Sequence, residues 1–511
     1  MASKVFSASL VGLDAVPVEV EADIIAGLPK YSVVGLPDKT VQEARERVRS
    51  ALKRCGLGWP RGIVTVNLAP ADIRKEGPNF DLPMAVALAA ALGAIDGSGM
   101  EHRLFVGELG LDGELRPVTG ILPMAMMAAA RGFKEIFLPE GNANEAMLAL
   151  DPASGENAVR VYPLRSLPHL LDHLTGATAV EPATATVAGP AVSEESEFDF
   201  GLIRGQLLAK RALEIAAAGG HNVLLSGPPG AGKTLLARSL PTILPEMSRT
   251  ETLEVTKIYS VAGLTGHGRL VTHRPFRAPH HTASGVALIG GGSWPKPGEV
   301  SLAHRGVLFL DEFPEFSRSV LENLRQPLED GFVTVSRAQG TLKFPAKFIL
   351  MAARNPCPCG KSSDPEAQCT CDQSQIEKYR RRISGPLLDR IDLHVEVPRV
   401  KCAELFGEAQ SEASASVRGR VQRARDAQLA RFRGSGVMVN SEMHQKLIKR
   451  FCPQDGEASS LLKGATERLK LSARAYYRVL KVARTIADLD GETEVMPRHV
   501  AEALQFRERQ A

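Results

Sequence analysis

The sequence predicts an α/β fold: a phosphate-loop domain carrying a helical domain after it and a second, separate α/β unit before it. Three observations carry that prediction. The apolar run Asn222–Ser226 reads as a buried strand; it leads directly into the glycine-rich segment Gly227–Thr234 and then into an expected helix at Leu235–Leu240. A second apolar run, Gly306–Leu310, ends in the acidic pair Asp311-Glu312, the place where an open parallel sheet binds ligands. After Lys401 the pattern changes, and apolar residues recur at three- and four-residue spacing, which is the signature of packed helices.

The chain has 511 residues, enough for several domains that each bury a core. Residues 1–172 read as a mixed α/β unit, with strands at Ala15–Ala22 and Ile63–Leu68 and helices at Lys39–Cys55, Pro83–Leu92 and Pro123–Arg131. Residues 173–197, rich in Ala, Thr, Pro and Glu, read as a linker. Residues 198–400 form the nucleotide-binding core and 401–511 the helical domain, with helices expected at Ser416–Arg433, Ser441–Arg450, Glu457–Lys470, Ala473–Asp488 and Pro497–Arg509.

Composition excludes several classes. With 44% hydrophobic and 23% charged residues the chain reads as an ordinary globular protein, and no apolar run approaches the ~18 residues of a membrane span. The opening residues Met1–Phe6 lack a basic-then-apolar pattern, so a cytoplasmic location without a membrane partner is expected. Net charge is +4. Residues 1–180 carry 17 basic against 21 acidic side chains and the remainder 45 against 37; so modest an excess fits either a polyanion-facing region or a solvated surface.

The segment Gly227, Pro228, Pro229, Gly230, Ala231, Gly232, Lys233, Thr234, with Leu235 opening the helix, matches G-x-x-x-x-G-K-[ST] between a strand and a helix. Glycines let backbone N–H groups wrap phosphates, and the helix N-terminus adds positive potential. Lys233 is expected on the β- and γ-phosphates of ATP. The Thr234 hydroxyl and Asp311 are expected on Mg²⁺, with Glu312 polarising the attacking water. A further apolar strand, Phe348–Ala353, leads to Asn355, a candidate polar sensor of the γ-phosphate. Arg390, in Pro386–Asp392, is placed to reach a neighbouring subunit's nucleotide, which implies a ring or another head-to-tail assembly. Arg474, at the start of the helix Ala473–Asp488, is placed to report nucleotide state to the helical domain.

Cys357, Cys359, Cys369 and Cys371 form C-x-C, a nine-residue spacer and C-x-C. Four thiolates around a short loop suit a tetrahedral zinc site, although the one-residue spacers are shorter than usual; free thiols or a redox pair are the alternatives. Cys55, Cys402 and Cys452 are scattered.

Longer strings carry a resemblance. Gly205-Gln206, Ala209–His221, Arg274–Thr282, Pro297–His304 and Leu471–Arg478 resemble the YifB/ComM family, AAA+ ATPases related to the magnesium-chelatase ATPase subunit, across essentially the whole chain. The resemblance implies an AAA+ P-loop domain with a helix-2 insert, here between Leu253 and Val300, and a C-terminal helical lid. It also implies a hexameric helicase that promotes branch migration of DNA during integration of transformed DNA. Sharing the same ATP site, a chelatase-like or protein-remodelling ATPase is the alternative. A hairpin is expected at Phe332–Phe344. In ring motors such hairpins line the pore, so Arg274, Arg277, His280, His281, Lys296, Arg337 and Lys343 are candidates for sequence-independent phosphate contacts; the alternative for Arg274–His281 is that they order the insert or pack a neighbouring subunit.

Residues 1–172 resemble the proteolytic domain of Lon-type proteases through Lys75–Met84 and Gly107–Leu122. Active members place a serine and a lysine where this chain has Asn79 and Leu122. An amide cannot replace the nucleophile and leucine cannot take its proton, so peptidase activity is not expected and a docking or assembly role is.

Overall fold

The computed structural model describes residues 3–150, 159–184, 198–265, 270–292, 295–337, 340–362, 368–400 and 412–507. Residues 185–197 of the expected linker, Cys402 and the side chain of Arg337 lie outside these described residues. The chain forms two compact units, one of residues 1–192 with 249–272 and one of 193–248 with 273–511.

The first unit contains strands β1 (Ser3–Val11), β2 (Asp14–Ile25), β3 (Lys30–Val34), β4 (Ile63–Ala69), β5 (Arg103–Phe105), β6 (Glu108–Leu109), β7 (Leu115–Arg116), β8 (Glu135–Pro139) and β9 (Arg160–Leu164). Seven make one mixed sheet in the order β3-β4-β2-β1-β5-β8-β9. The helix Lys39–Arg54 starts on Asp38, whose carboxylate accepts the Val41 N–H at 2.7 Å, and ends with Lys53 and Arg54, charges that suit the two ends of its dipole. The helix Asp81–Ala91 is buried from Asp81 to Ala89, as its Leu, Val, Met and Ala content on every face requires.

The helix Arg249–Ala262 belongs to this unit although it follows the phosphate loop in sequence. Its Ser260 donates to buried Glu145 at 2.5 Å, and Lys257 pairs with Asp14. Burial raises the Glu145 carboxyl, partly offset by the Ser260 hydroxyl and the Leu122 N–H it accepts.

The second unit contains β10 (Val223–Ser226), β11 (Phe276–Arg277), β12 (Gly290–Gly291), β13 (Lys296–Pro297), β14 (Val307–Leu310), β15 (Phe332–Arg337), β16 (Gly340–Pro345), β17 (Ile349–Arg354) and β18 (Leu393–Glu396). Its central sheet runs β11-β14-β17-β10-β18, parallel throughout. β14 is wholly buried and β17 nearly so, which explains their continuous apolar sequence. Asn222 ties three strands together: its side chain accepts from Leu350 N at 2.8 Å and donates to Arg390 O at 3.0 Å.

This topology corrects the bounds of the insert. β11 is the edge strand of the central sheet, so the insertion ahead of β14 begins after Arg277, not at Leu253. A two-residue strand leaves no alternation to read.

The helical part comprises Ser414–Arg431, Gln445–Phe451, Gly456–Arg468, Ala473–Leu489 and Pro497–Gln505. The helix expected at Ser441–Arg450 starts later because buried Asn440 is anchored sideways, donating to Thr485 at 3.0 Å and to Asp488 at 2.8 Å. Buried Arg484 completes that network through Asp488 and the carbonyls of Glu492 and Thr493. Among the described residues no helix is long and apolar enough to cross a membrane.

Candidate nucleotide site

The C-terminal ends of β10, β14 and β17 lie side by side in register, with Leu310 opposite Ala352 and Ser226 opposite Arg354. That register brings the phosphate loop, Asp311 and Asn355 to one edge. Gly232 has φ of +88° where the loop enters the helix Lys233–Ile243, a conformation that side-chain-bearing residues rarely adopt. Lys233 is 9% exposed and its Nζ donates to Gly227 O at 2.7 Å, Pro228 O at 2.9 Å and Asn355 Oδ1 at 3.1 Å. Burial lowers its pKa, with the Asp311 carboxylate acting in the opposite sense.

Thr234 Oγ1 donates to Asp311 Oδ2 at 2.9 Å. This pair offers two oxygen ligands of the hard type that Mg²⁺ requires, beside the loop where phosphates would supply others. The donor set fits the ion. Glu312 sits in the left-handed region with φ of +50° and donates its N–H to Asp311 Oδ1. Its carboxylate lies 3.3 Å from His281 Nδ1, and the His281 ring stands over His280 at a centroid distance of 4.1 Å.

The two arginines converge on one carboxylate that the sequence did not single out. Glu329 pairs with Arg390 and, at 2.9 Å, with Arg474. Arg390 also donates to Pro386 O at 2.7 Å and its side chain is 11% exposed. Although burial acts to raise the Glu329 carboxyl, Arg390 and then Arg474 bring it below its ordinary value. Nothing in Leu328-Glu-Asp-Gly331 marks this role, since the partners stand 61 and 145 residues away. Two further residues join core to lid. Asp392 accepts from Arg478 at 2.6 Å, and His221 meets Thr485 at 2.8 Å.

The seven candidates for phosphate contact separate. Arg274 donates to the carbonyls of Pro245, Arg305 and Glu246 at 2.5, 2.8 and 3.2 Å. Arg277, on edge strand β11, makes a two-pronged pair with Glu299 at 2.6 and 2.7 Å. These guanidinium groups are engaged within the fold, so the ordering alternative describes their contacts. His280 is held by Thr282 and His281 by Glu312. Lys296 is exposed on the hairpin β12–β13, Lys343 is exposed on β16 with its Nζ 4.8 Å above the Phe332 ring, and Arg337 ends β15 at the tip of the same hairpin.

In the first unit Asn79 is buried and its amide donates to Ala8 O at 2.9 Å, while Leu122 is fully buried and its N–H donates to Glu145. Neither side chain offers a nucleophile or a base.

A parallel sheet whose phosphate loop, acidic strand end and polar strand end meet at one edge defines the P-loop ATPase class. Comparison with known proteins gives the particular family. Residues 199–405 match the model for magnesium chelatase subunit ChlI, residues 20–142 a second model for subunit ChlI of Mg-chelatase, and residues 411–507 that for the ChlI C-terminal region. The chain is 44% identical to the competence protein ComM of Haemophilus influenzae, covering 98% of this chain and 97% of that protein. It is 41% identical to the uncharacterized protein YifB of Escherichia coli, covering 99% and 97%. It is also 27% identical over 161 residues to the Lon protease of Brevibacillus choshinensis, covering 30% and 20%. The chain belongs to the YifB/ComM family of magnesium-chelatase-like AAA+ ATPases, a family whose chemistry uses ATP and Mg²⁺.

Proposed function

We propose that the chain hydrolyses ATP to move along DNA, as a cytoplasmic homo-hexameric helicase that promotes branch migration during integration of transformed DNA. The observation that carries the ATPase half is the convergence of Lys233, Asn355, Thr234 and Asp311 within 3.1 Å contacts at one sheet edge. Lys233 binds the β- and γ-phosphates, Thr234 and Asp311 hold Mg²⁺, and Glu312 orients and deprotonates the attacking water once released from His281. Asn355 positions that water. Mg²⁺ held by Thr234 and Asp311 would supply positive charge against the developing negative charge on the phosphates.

Support for the DNA half comes from two hairpins that present Lys296 and Lys343, with Arg337 ending β15, and from a relative named as a competence protein. A ring would let such hairpins face backbone phosphates without reading bases. The second reading, a chelatase-like or protein-remodelling ATPase, is favoured by the engagement of Arg274 and Arg277 inside the fold.

Steady-state ATP hydrolysis with and without single-stranded and branched DNA, at low and moderate salt, decides between them. Stimulation by DNA that weakens with salt and vanishes in Lys233→Ala supports the motor. Hydrolysis indifferent to DNA under every condition leaves the remodelling reading.

A further inference from the structure

The Sγ atoms of Cys357, Cys359, Cys369 and Cys371 all lie within 4.8 Å of one another. The separations Cys357–Cys359, Cys357–Cys369 and Cys359–Cys369 are 3.4, 3.8 and 3.6 Å. A disulfide needs about 2.05 Å. Four thiolates at about 2.3 Å from a tetrahedral Zn²⁺ stand roughly 3.8 Å apart. The observed spacing is therefore that of a single metal's coordination shell. It is also too tight to bracket the several irons of a cluster.

A backbone N–H group points at one of these sulfurs, as suits a thiolate ligand. Ser362 N donates to Cys357 Sγ at 3.3 Å. Soft sulfur ligands in this number select zinc over the hard cation of the phosphate site.

The turn that carries the first two cysteines is packed on the nucleotide site. Gly360 N donates to Cys357 O at 2.9 Å, and Gly360 adopts φ of +78°. A Cβ placed there would stand 2.6 Å from Pro229 Cδ and 3.9 Å from Asn355 Cγ. The backbone at Gly360 thus lies directly against the phosphate loop and beside the residue that holds Lys233. On the other side, Cys371 leads into Asp372, which caps the helix Gln373–Arg380. Cross-linking 357–359 to 369–371 would hold the Gly360 turn against Pro229 and beside Asn355.

We infer that the four cysteines hold a structural zinc ion that clamps the phosphate loop and Asn355, making nucleotide turnover conditional on a metal that never touches ATP. The metal half stands alone, whereas its consequence for turnover rests on the ATPase reading above.

The test uses the full chain, purified without chelator. Metal analysis is expected to find about one zinc per chain, and Co²⁺ exchanged into it to show intense thiolate charge-transfer bands with tetrahedral d–d absorption. Cys369→Ser with Cys371→Ser is expected to lose the metal. Hydrogen exchange in the absence of nucleotide then reads the clamp. Stripping zinc is expected to speed amide exchange across residues 227–234 by about tenfold, reversed by Zn²⁺ and not by Mg²⁺, while residues 3–25 serve as the folded control. Gly360→Ala is expected to keep its zinc yet show the same acceleration. Wild-type protein without zinc, and without a tetrahedral Co²⁺ spectrum, overturns the site. Bound zinc whose removal leaves residues 227–234 unchanged, with Gly360→Ala equally silent, overturns the clamp. Neither zinc content nor amide exchange requires ATP, so a wild-type chain that fails to hydrolyse ATP sinks the ATPase reading and leaves the metal site and the clamp standing or falling on their own measurements.

Discussion

Lys233 has three N–H donors, and in this structure all three are used, by Gly227 O, Pro228 O and Asn355 Oδ1. A phosphate arriving at Lys233 must displace at least one of them. Asn355 is the one to leave: its bond is the longest at 3.1 Å and it alone ends on a rotatable side chain. Asn355→Ala therefore removes a competitor for the ammonium. A hydrogen bond to a charged group contributes ~1.5–3 kcal/mol when buried; the open edge of the site reduces this to about 1 kcal/mol, or roughly fivefold tighter nucleotide binding. Turnover should fall about 100-fold, the usual scale for losing a group that positions the attacking water. Asn355→Asp reverses the first effect, because a carboxylate paired with Lys233 opposes phosphate binding. Fluorescent-nucleotide titration with Mg²⁺ gives the affinities and single-turnover hydrolysis the rate. Weaker binding in Asn355→Ala with unchanged turnover would refute this role, since Asn355 would then serve only to aim Lys233.

Arg274→Ala strips a guanidinium from three carbonyls and should cost about 2 kcal/mol in thermal unfolding, whereas Lys343→Ala should leave stability alone and weaken DNA binding with a shallower salt slope. Asp392 is buried, which pushes its carboxyl up, but Arg478 and then His221 bring it well below the usual carboxylate range. Its ionised form therefore stabilises the second unit fully above about pH 4 and progressively less as pH falls through its folded value; in urea titrations Asp392→Asn should lose about 3 kcal/mol at neutral pH and flatten the acid limb. Ser260→Ala removes the hydroxyl that buried Glu145 accepts, and hydrogen exchange across residues 249–262 should quicken about tenfold while the rest of that unit holds. If Arg390 acts across a subunit boundary, Arg390→Ala mixed equally with Lys233→Ala should regain up to about a quarter of wild-type hydrolysis, because that share of ring interfaces carries both intact residues; two inactive variants that stay inactive when mixed place Arg390 within its own subunit.

What could be read from the sequence follows the physics of each element. β14 and β17 are legible because strands covered on both faces are apolar without interruption, and the phosphate loop because its chemistry is local. β11 is illegible at two residues, and with it the true start of the insert. The helix Arg249–Ala262 is no part of the sequence reading, and its place depends on Glu145, 115 residues away. The spacing of the four cysteines pointed to a metal. That their turn leans on Pro229 is a property of the folded chain, carried by one left-handed glycine. For Arg274 and Arg277 the sequence leaves both alternatives open, because a basic residue in such a string looks the same whether it meets phosphate or Glu299.

Glu329 bears most directly on how subunits would cooperate. It is 48% exposed and holds Arg390 and Arg474 together; its pair with the 42%-exposed Arg474 is worth no more than about 1 kcal/mol in solvent, whereas Arg390, 11% exposed, is held more firmly. That weakness matters. Were the carboxylate deeply buried, freeing either arginine would cost several kcal/mol and hold both in place. A half-exposed carboxylate instead stays open to competition, and a stronger anion can displace it from a guanidinium. On the proposed reading, a γ-phosphate presented by a neighbouring subunit is such an anion for Arg390. Once Arg390 leaves, Glu329 retains Arg474 alone, and Arg474 opens the helix whose Arg478 is fixed to Asp392. The departure of one arginine thereby changes the charge balance at the base of the lid helix of the same chain, which links occupancy at one site to the lid of the next without any contact between the two nucleotides.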